Sequence, residues 1–140
     1  MRNELLVIED ADVHLSILRK IATQAGFNTT GVSSVDAACA AIQNGHFDCV
    51  TLDLSLGERS GTEVLESLAK LKFRGPVLII SASEDDALYA SVRIANFLDL
   101  NVYPPLSKPI NLTLLRRTLK QIANASDRHG WPERQAGNDR

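Results

Sequence analysis

Three short apolar runs constrain the fold of this chain more than any other feature of its sequence. They read ELLVIE at 4–9, FDCVTLD at 47–53 and PVLIIS at 76–81. Nearly continuous apolar runs of this length are typical of strands covered on both faces, which form the centre of parallel sheets. FNTTGV at 27–32 and NVY at 101–103 are weaker strand candidates, which we place at the sheet edges.

The segments between these runs have the spacing of amphipathic helices. Segment 34–45 is Ala-rich, with Ser34 as a candidate N-cap and Gly45 as a candidate stop. In four other segments, apolar or small residues recur every three or four positions. These inward-facing stripes are Leu18, Ile21, Ala22, Ala25; Val64, Leu65, Leu68, Leu71; Leu88, Ser91, Val92, Ala95; and Leu112, Leu115, Leu119, Ile122. Five strand-then-helix units predict an α/β fold, an open parallel sheet with helices on both faces.

Length and charge exclude several classes of function. The chain has 140 residues and a formal net charge of −2, so we expect one domain without the basic field that nucleic acid or an anionic membrane requires. No apolar run approaches the roughly 18 residues of a membrane helix, and no signal peptide is evident. We therefore expect a soluble cytoplasmic protein with free thiols at Cys39 and Cys49. Residues 125–140 are polar and aperiodic, so we expect a disordered tail.

Polar residues follow the ends of the predicted strands. Glu9 and Asp10 follow the first strand, Asp53 follows the third, Ser81 ends the fourth, and Lys108 comes shortly after the fifth. Open α/β sheets bind ligands beyond the carboxyl ends of their strands. We therefore expect three acids, a hydroxyl and an amine at one edge of the sheet.

The chemistry of this cluster favours a divalent cation and a phosphoryl group. Two carboxylates about 4 Å apart repel by roughly 4 kcal/mol at an effective dielectric constant of 20, so three of them need a cation. Oxygen ligands without His or Cys favour Mg²⁺. A carboxylate can also attack a phosphoryl group, with Mg²⁺ and the Lys108 ammonium supplying positive charge and Ser81 binding a phosphoryl oxygen.

Four ordered motifs resemble those of a known family. They are VIED at 7–10, LDLSLGERSG at 52–61, IISAS at 79–83 and LSKPI at 106–110. On these motifs, residues 3–124 resemble the CheY-like receiver domain of bacterial two-component response regulators. The resemblance implies a receiver domain over 1–124, with a flavodoxin-like, doubly wound, five-stranded parallel sheet of order 2-1-3-4-5 flanked by five helices.

The resemblance also implies roles for the acids. Asp53 is expected to accept phosphate from a histidine kinase or a histidine phosphotransfer protein. Mg²⁺ is expected to bind Asp10 directly and Glu9 through water, with Asp53 and the backbone carbonyl of Ser55 as further ligands. Glu9 stands where Asp is more usual in the family, a change that a water-mediated ligand should tolerate.

The remaining implied roles concern phosphoryl binding and signalling. Lys108 is expected to pair with the phosphoryl group, Ser81 to act as the switch hydroxyl, and Pro109 to follow a cis peptide bond. The surface of the fourth helix, fifth strand and fifth helix is then expected to bind a downstream protein or a second copy of the chain.

Two departures from the family pattern affect the loops around this site. Gly57 stands where the family commonly has proline. Pro105 occupies the position where many members carry a switching aromatic residue, and we expect Tyr103 to pack on the fourth helix rather than to replace that switch.

The sequence therefore predicts a stand-alone receiver that is not an enzyme beyond its own phosphorylation and dephosphorylation. A degenerate receiver that acts as a phosphorylation-independent interaction module is the alternative. An aspartyl phosphatase is disfavoured, because Ser55 stands where its second acid would be needed. A flavin carrier is disfavoured because EDADVHL at 9–15 would repel a phosphate. His14, His46 and His129 lack a supporting motif, and we expect only structural roles for them.

Overall fold

The computed structural model describes residues 3–57, 59–82 and 85–129, without the side chains of 85–87 and 126–129. Eight strands and five helices are assigned in this part of the chain. Their order is β1 (Glu4–Ile8), α1 (Asp12–Gln24), β2 (Asn28–Val32), α2 (Val35–Asn44), β3 (Cys49–Leu52), β4 (Ser55–Leu56), β5 (Arg59–Ser60), α3 (Thr62–Lys70), β6 (Pro76–Ser81), α4 (Asp85–Phe97), β7 (Asn101–Val102), β8 (Leu106–Ser107) and α5 (Leu112–His129).

The main sheet is parallel and has the order β2-β1-β3-β6-β7, with β8 also pairing with β6. Leu6 of β1 lies opposite Thr30 of β2 and Val50 of β3, and Leu52 of β3 lies opposite Ile79 of β6. This arrangement confirms the predicted doubly wound sheet. Strand β7 lies within the predicted fifth strand at 101–103, whereas β8 at Leu106–Ser107 was not predicted.

The central strands bury alternate side chains on the two faces of the sheet, as the period of two requires. The face that packs against α1 and α5 receives Leu5, Val7, Cys49, Leu78 and Ile80. The face that packs against α2, α3 and α4 receives Leu6, Ile8, Val50, Leu52, Val77 and Ile79. A fully buried Leu or Ile side chain stabilises a fold by about 1.5–3 kcal/mol, so these two clusters hold the strand ends in place.

Two prolines explain why the fifth strand is divided. Pro104 and Pro105 lie between β7 and β8 and lack the backbone N–H that a continuous strand would donate. The ladder continues on either side, where Tyr103 N donates to Val77 O at 3.0 Å and Lys108 N donates to Ser81 O at 3.1 Å. The Tyr103 side chain packs against the α1–α5 core, so the expectation that it packs on α4 is wrong.

Helix ends account for the other differences from the sequence prediction. Leu71 was expected to face inward, but α3 ends at Lys70 and the side chain of Leu71 is 49% exposed. Helix α5 continues through 125–129, which the sequence assigned to the tail, because Ala125 still packs on the core and no Gly or Pro occurs before Gly130. Residues 130–140 lie outside the described part, so their disorder stays a prediction.

None of the helices in the described ranges combines the length and apolar character that a bilayer span requires.

Candidate functional site

Glu9 and Asp53 follow the adjacent strands β1 and β3 and lie at the same edge of the sheet. Asp53 directly follows β3, and its backbone N–H donates to Ile8 O of β1 at 2.9 Å. Glu9 directly follows β1, and its backbone N–H donates to Val32 O of β2 at 3.0 Å. The main-chain ladder therefore extends beyond both strands and fixes where the two side chains start.

The structure brings the three predicted acids together. One oxygen from each of Glu9, Asp10 and Asp53 lies within 4.8 Å of the other two. Glu9 is 0% exposed and Asp53 is 5% exposed, whereas Asp10 is exposed. Hard oxygen donors with one side open to water suit Mg²⁺, which binds a few protein carboxylates and retains several waters. These residues therefore fit the predicted metal, although their ligand roles stay predictions.

Lys108 reaches this cluster from the end of β8. Its ammonium donates to Glu9 Oε1 at 2.7 Å and to Asp53 Oδ2 at 3.2 Å. The Lys108 side chain is 10% exposed, so both pairs lie in a largely dry environment. The Lys108–Pro109 peptide bond is cis, as the resemblance implied.

Burial and mutual charge shift the pKa values of this pair. Burial raises the pKa of Glu9, and the hydrogen bond from Lys108 opposes that effect without cancelling it. Burial also acts to lower the pKa of Lys108, but the hydrogen bonds and charges of Glu9 and Asp53 outweigh it and raise the pKa. A single ammonium therefore faces three clustered acid oxygens.

The two serines lie at the end of β6 and at the start of β4. Ser81 is fully buried at the end of β6, next to β3 in the sheet. The backbone N–H of Ser55 donates to Asp53 Oδ1 at 3.1 Å, whereas Lys108 Nζ contacts the other carboxylate oxygen, Oδ2. Their proposed roles in switching and in metal binding stay predictions.

The loop after Asp53 forms a hairpin that sequence reasoning missed. Strands β4 and β5 pair antiparallel, with Ser55 opposite Ser60 and Leu56 opposite Arg59. Gly57 begins the turn with φ of +69° and donates its N–H to Asp10 Oδ2 at 3.1 Å. Two-residue strands carry no readable periodicity, and only the glycine indicated a turn.

The guanidinium of Arg59 ties this hairpin to two helices. It contacts Asp36 Oδ1 of α2 at 2.6 Å and both carboxylate oxygens of Glu63 in α3. All three side chains are exposed, so the pairs orient the hairpin more than they stabilise the fold.

His14 is a site neighbour that sequence reasoning treated as structural. It lies in the first turn of α1, and its Nδ1 is 3.1 Å from Lys108 Nζ. The sequence places His14 four residues after Asp10, but that spacing does not show how α1 is rotated over the sheet. His46 instead lies at the opposite edge of the sheet, near Asp48.

Comparison with known proteins identifies the family. A model of the response regulator receiver domain matches residues 5–120. The chain belongs to the response regulator receiver domain family. The predicted family and fold are confirmed. Receiver domains are signalling domains of two-component systems, and phosphorylation on an aspartate is general to them.

Curated relatives of this receiver domain are longer proteins. The transcriptional regulatory protein BasR of Escherichia coli is 27% identical over 135 residues, which cover 96% of this chain and 59% of BasR. The transcriptional regulatory protein TcrA of Mycobacterium tuberculosis is 30% identical over 133 residues, which cover 95% of this chain and 51% of TcrA. The chain thus spans between half and three fifths of these relatives.

Solved receiver structures share the fold. A response regulator from Colwellia psychrerythraea superposes with a TM-score of 0.77 at 24% identity, covering 89% of this chain and 98% of its own. A CheY-like receiver domain protein from Methanospirillum hungatei superposes with a TM-score of 0.75 at 18% identity, covering 91% of this chain and 98% of its own.

Proposed function

We propose that Asp53 accepts a phosphoryl group from a histidine kinase or a histidine phosphotransfer protein, in a reaction that depends on Mg²⁺. The observation that carries this proposal is the contact of Lys108 Nζ with Asp53 Oδ2 at 3.2 Å beside three clustered acid oxygens. A nucleophilic carboxylate, a fixed cation and a hard-metal site together are the parts that phosphoryl transfer needs.

The chain's own residues perform the transfer in one displacement. A carboxylate oxygen of Asp53 forms a bond to phosphorus while the bond from phosphorus to the donor imidazole nitrogen breaks, and the imidazole keeps that electron pair. The main-chain hydrogen bond of Asp53 to β1 and the Ser55 N–H hold the carboxylate, so little reorganisation is needed.

Positive charge offsets the negative charge of the incoming group. Lys108 can turn donors from Glu9 and Asp53 toward the phosphoryl oxygens, because its ammonium has three N–H groups. Mg²⁺, held by Asp10 and Asp53, the Ser55 carbonyl and, through water, Glu9, would supply further charge neutralisation. We propose that the Ser81 hydroxyl donates a hydrogen bond to a phosphoryl oxygen once the group has been transferred to Asp53.

We propose that phosphorylation changes protein binding at the surface formed by α4, β7, β8 and α5. Helix α4 carries three exposed large hydrophobic residues, with Phe97 87% exposed and Tyr89 and Ile94 also in solvent. Exposed apolar residues of this kind support a protein-binding role, either for a downstream partner or for a second copy of the chain. Movement of Ser81 would alter this surface through the Lys108 N–H contact to Ser81 O.

The proposal is tested by labelling with radioactive acetyl phosphate and Mg²⁺. We expect labelling of the wild type, none of Asp53→Asn, and none when the metal is chelated. The matched control is Asp48→Asn, which changes a buried acid at the other end of β3 and should label normally. Equal labelling of the wild type and Asp53→Asn would reject the assignment.

The division of the fifth strand favours one second candidate, a receiver that binds its partner with the same affinity whether or not it is phosphorylated. Pro105 replaces the usual aromatic switch, and Tyr103 is packed into the α1–α5 core. Beryllofluoride, a phosphoryl mimic, distinguishes the two. Amide NMR shifts confined to the site would favour the second candidate, whereas shifts that extend over α4, β8 and α5 support the switch.

A further inference from the structure

The ammonium of Lys108 has a third close neighbour that the reaction described above does not use. Besides Glu9 Oε1 and Asp53 Oδ2, Lys108 Nζ lies 3.1 Å from Nδ1 of His14. An ammonium group has three donors and no acceptor, so these neighbours can occupy all three N–H groups. Two of them are carboxylates, and the third is a side chain that can change its charge.

We infer that His14 is a positioning residue for Lys108, and that its neutral imidazole holds the ammonium where it can meet the phosphoryl group. This inference rests on the proposed function. Because Lys108 can only donate, Nδ1 of His14 must be unprotonated in this contact and the ring proton must lie on Nε2. The imidazole then accepts one N–H of the ammonium while Glu9 and Asp53 accept the others.

Protonation of His14 removes this restraint. Nδ1 becomes a donor, the hydrogen bond is lost, and two cations face each other at contact distance. Repulsion then moves the ammonium from its position, and the phosphoryl group loses a preorganised donor.

Other charged groups near His14 do not replace Lys108 in this role. Asp10 and Asp12 share its chain segment, and Asp10 accepts the N–H of Gly57. Arg19 of α1 donates to Thr29 of β2, and Arg116 of α5 donates to Gln24 at the C-terminal end of α1. Glu9 and Asp53 bind Lys108 as the alternative acceptors.

The test compares three side chains at position 14 by their initial rate of labelling with acetyl phosphate and Mg²⁺. Asn places an acceptor oxygen near the position of Nδ1 but cannot titrate, and Leu removes the acceptor. We expect the wild-type rate to fall about threefold to tenfold between about pH 8 and about pH 6, relative to His14→Asn. At about pH 8, His14→Leu should be labelled more slowly than the wild type by a similar factor. Its rate should not show this fall between about pH 8 and about pH 6, which is the pH step of the wild type.

A matched control separates His14 from histidine titration in general. His46→Asn removes an exposed histidine at the opposite edge of the sheet and should keep the wild-type step. The inference is overturned if His14→Asn and His14→Leu keep that step, if His14→Leu labels as fast as the wild type at about pH 8, or if the wild type gains rate on acidification.

A second measurement examines the contact without any reaction. The ¹⁵N shifts of His14 in the metal-free protein at about pH 8 should report protonation on Nε2, and Lys108→Met should weaken this preference. A dominant Nδ1–H tautomer would overturn the inference. Failure of the wild type to label at any pH would instead count against the proposed function, so the two failures are distinguishable.

Discussion

Gly57 performs two tasks at the site that another residue would perform poorly. Its φ of +69° belongs to the left-handed region, and its N–H donates to Asp10 Oδ2. Proline, which the family commonly carries here, has no N–H and a fixed negative φ. This hairpin therefore holds Asp10 through a main-chain contact that depends on glycine.

We expect Gly57→Ala to reduce labelling more than its effect on stability explains. A Cβ at Gly57 meets no atom within 4 Å, so the stability cost is conformational, on the order of 1 kcal/mol. Gly26→Ala is the matched control, since Gly26 has φ of +106° and similar free space but lies far from the site, after α1. Urea unfolding and labelling rates measure both effects. Equal rate losses in the two variants would contradict the role of Gly57.

Lys108 stabilises the fold as well as the site. Because its pKa is raised above 10.5, its contribution to the free energy of unfolding is fully present below that pH and is lost as the pH rises through the folded-state pKa. Removing one partner of a buried charge pair costs about 3 kcal/mol or more. We expect Lys108→Met to be less stable than the wild type by an amount on that order near pH 7.

Urea unfolding at several pH values checks this prediction, with the exposed Lys120→Met as control. The deficit of Lys108→Met should shrink above about pH 10.5, because wild-type Lys108 then loses its proton. A deficit that stays constant or grows with pH would show that the charge of Lys108 is not its source.

The start of α3 packs against the end of β3, and Gly61 makes that approach possible. A Cβ at Gly61 would lie 2.9 Å from both Asp53 O and Leu54 Cα. These are backbone atoms of Asp53 and of the residue after it, so the crowding cannot be relieved by a side-chain rotation. A side chain at position 61 would therefore displace both the start of α3 and the backbone of Asp53.

We expect Gly61→Ala to destabilise the protein by about 1–3 kcal/mol and to slow labelling, because α3 and the segment after β3 must move apart. Gly31→Ala is the control, since its Cβ would meet the movable side chains of Leu15 and Arg19 at 3.0–3.1 Å. Thermal unfolding and labelling are measured for both. Normal labelling of Gly61→Ala would show that Asp53 tolerates the displacement.

Among the helices and strands, the sequence predicted those whose residue pattern was long enough to show a period. The apolar runs of β1, β3 and β6 and the helical stripes correspond to the observed elements. The β4–β5 hairpin was missed because two residues have no period, and the exposure of Leu71 was missed because spacing does not show where a helix ends. The prolines between β7 and β8 were visible, but their effect depends on strand pairing.

Across the whole molecule, the site follows from topology. Parallel strands place their carboxyl ends at one edge, so residues as distant as Glu9 and Lys108 could be predicted to meet. His14 could not, because its contact depends on how α1 is rotated over the sheet, which packing with α5 and the strands determines. Strand-end residues were therefore predictable, and helix-borne neighbours were not.

Reductive trapping can show whether Asp53 carries the phosphoryl group. The protein is phosphorylated with acetyl phosphate and Mg²⁺, the acyl phosphate is reduced with borohydride, and the modified residue is located by peptide mass spectrometry. We expect reduction at Asp53 alone, and none when the metal is chelated or in Asp53→Asn. Reduction at another residue in place of Asp53, or a metal-independent modification of Asp53, would contradict this assignment.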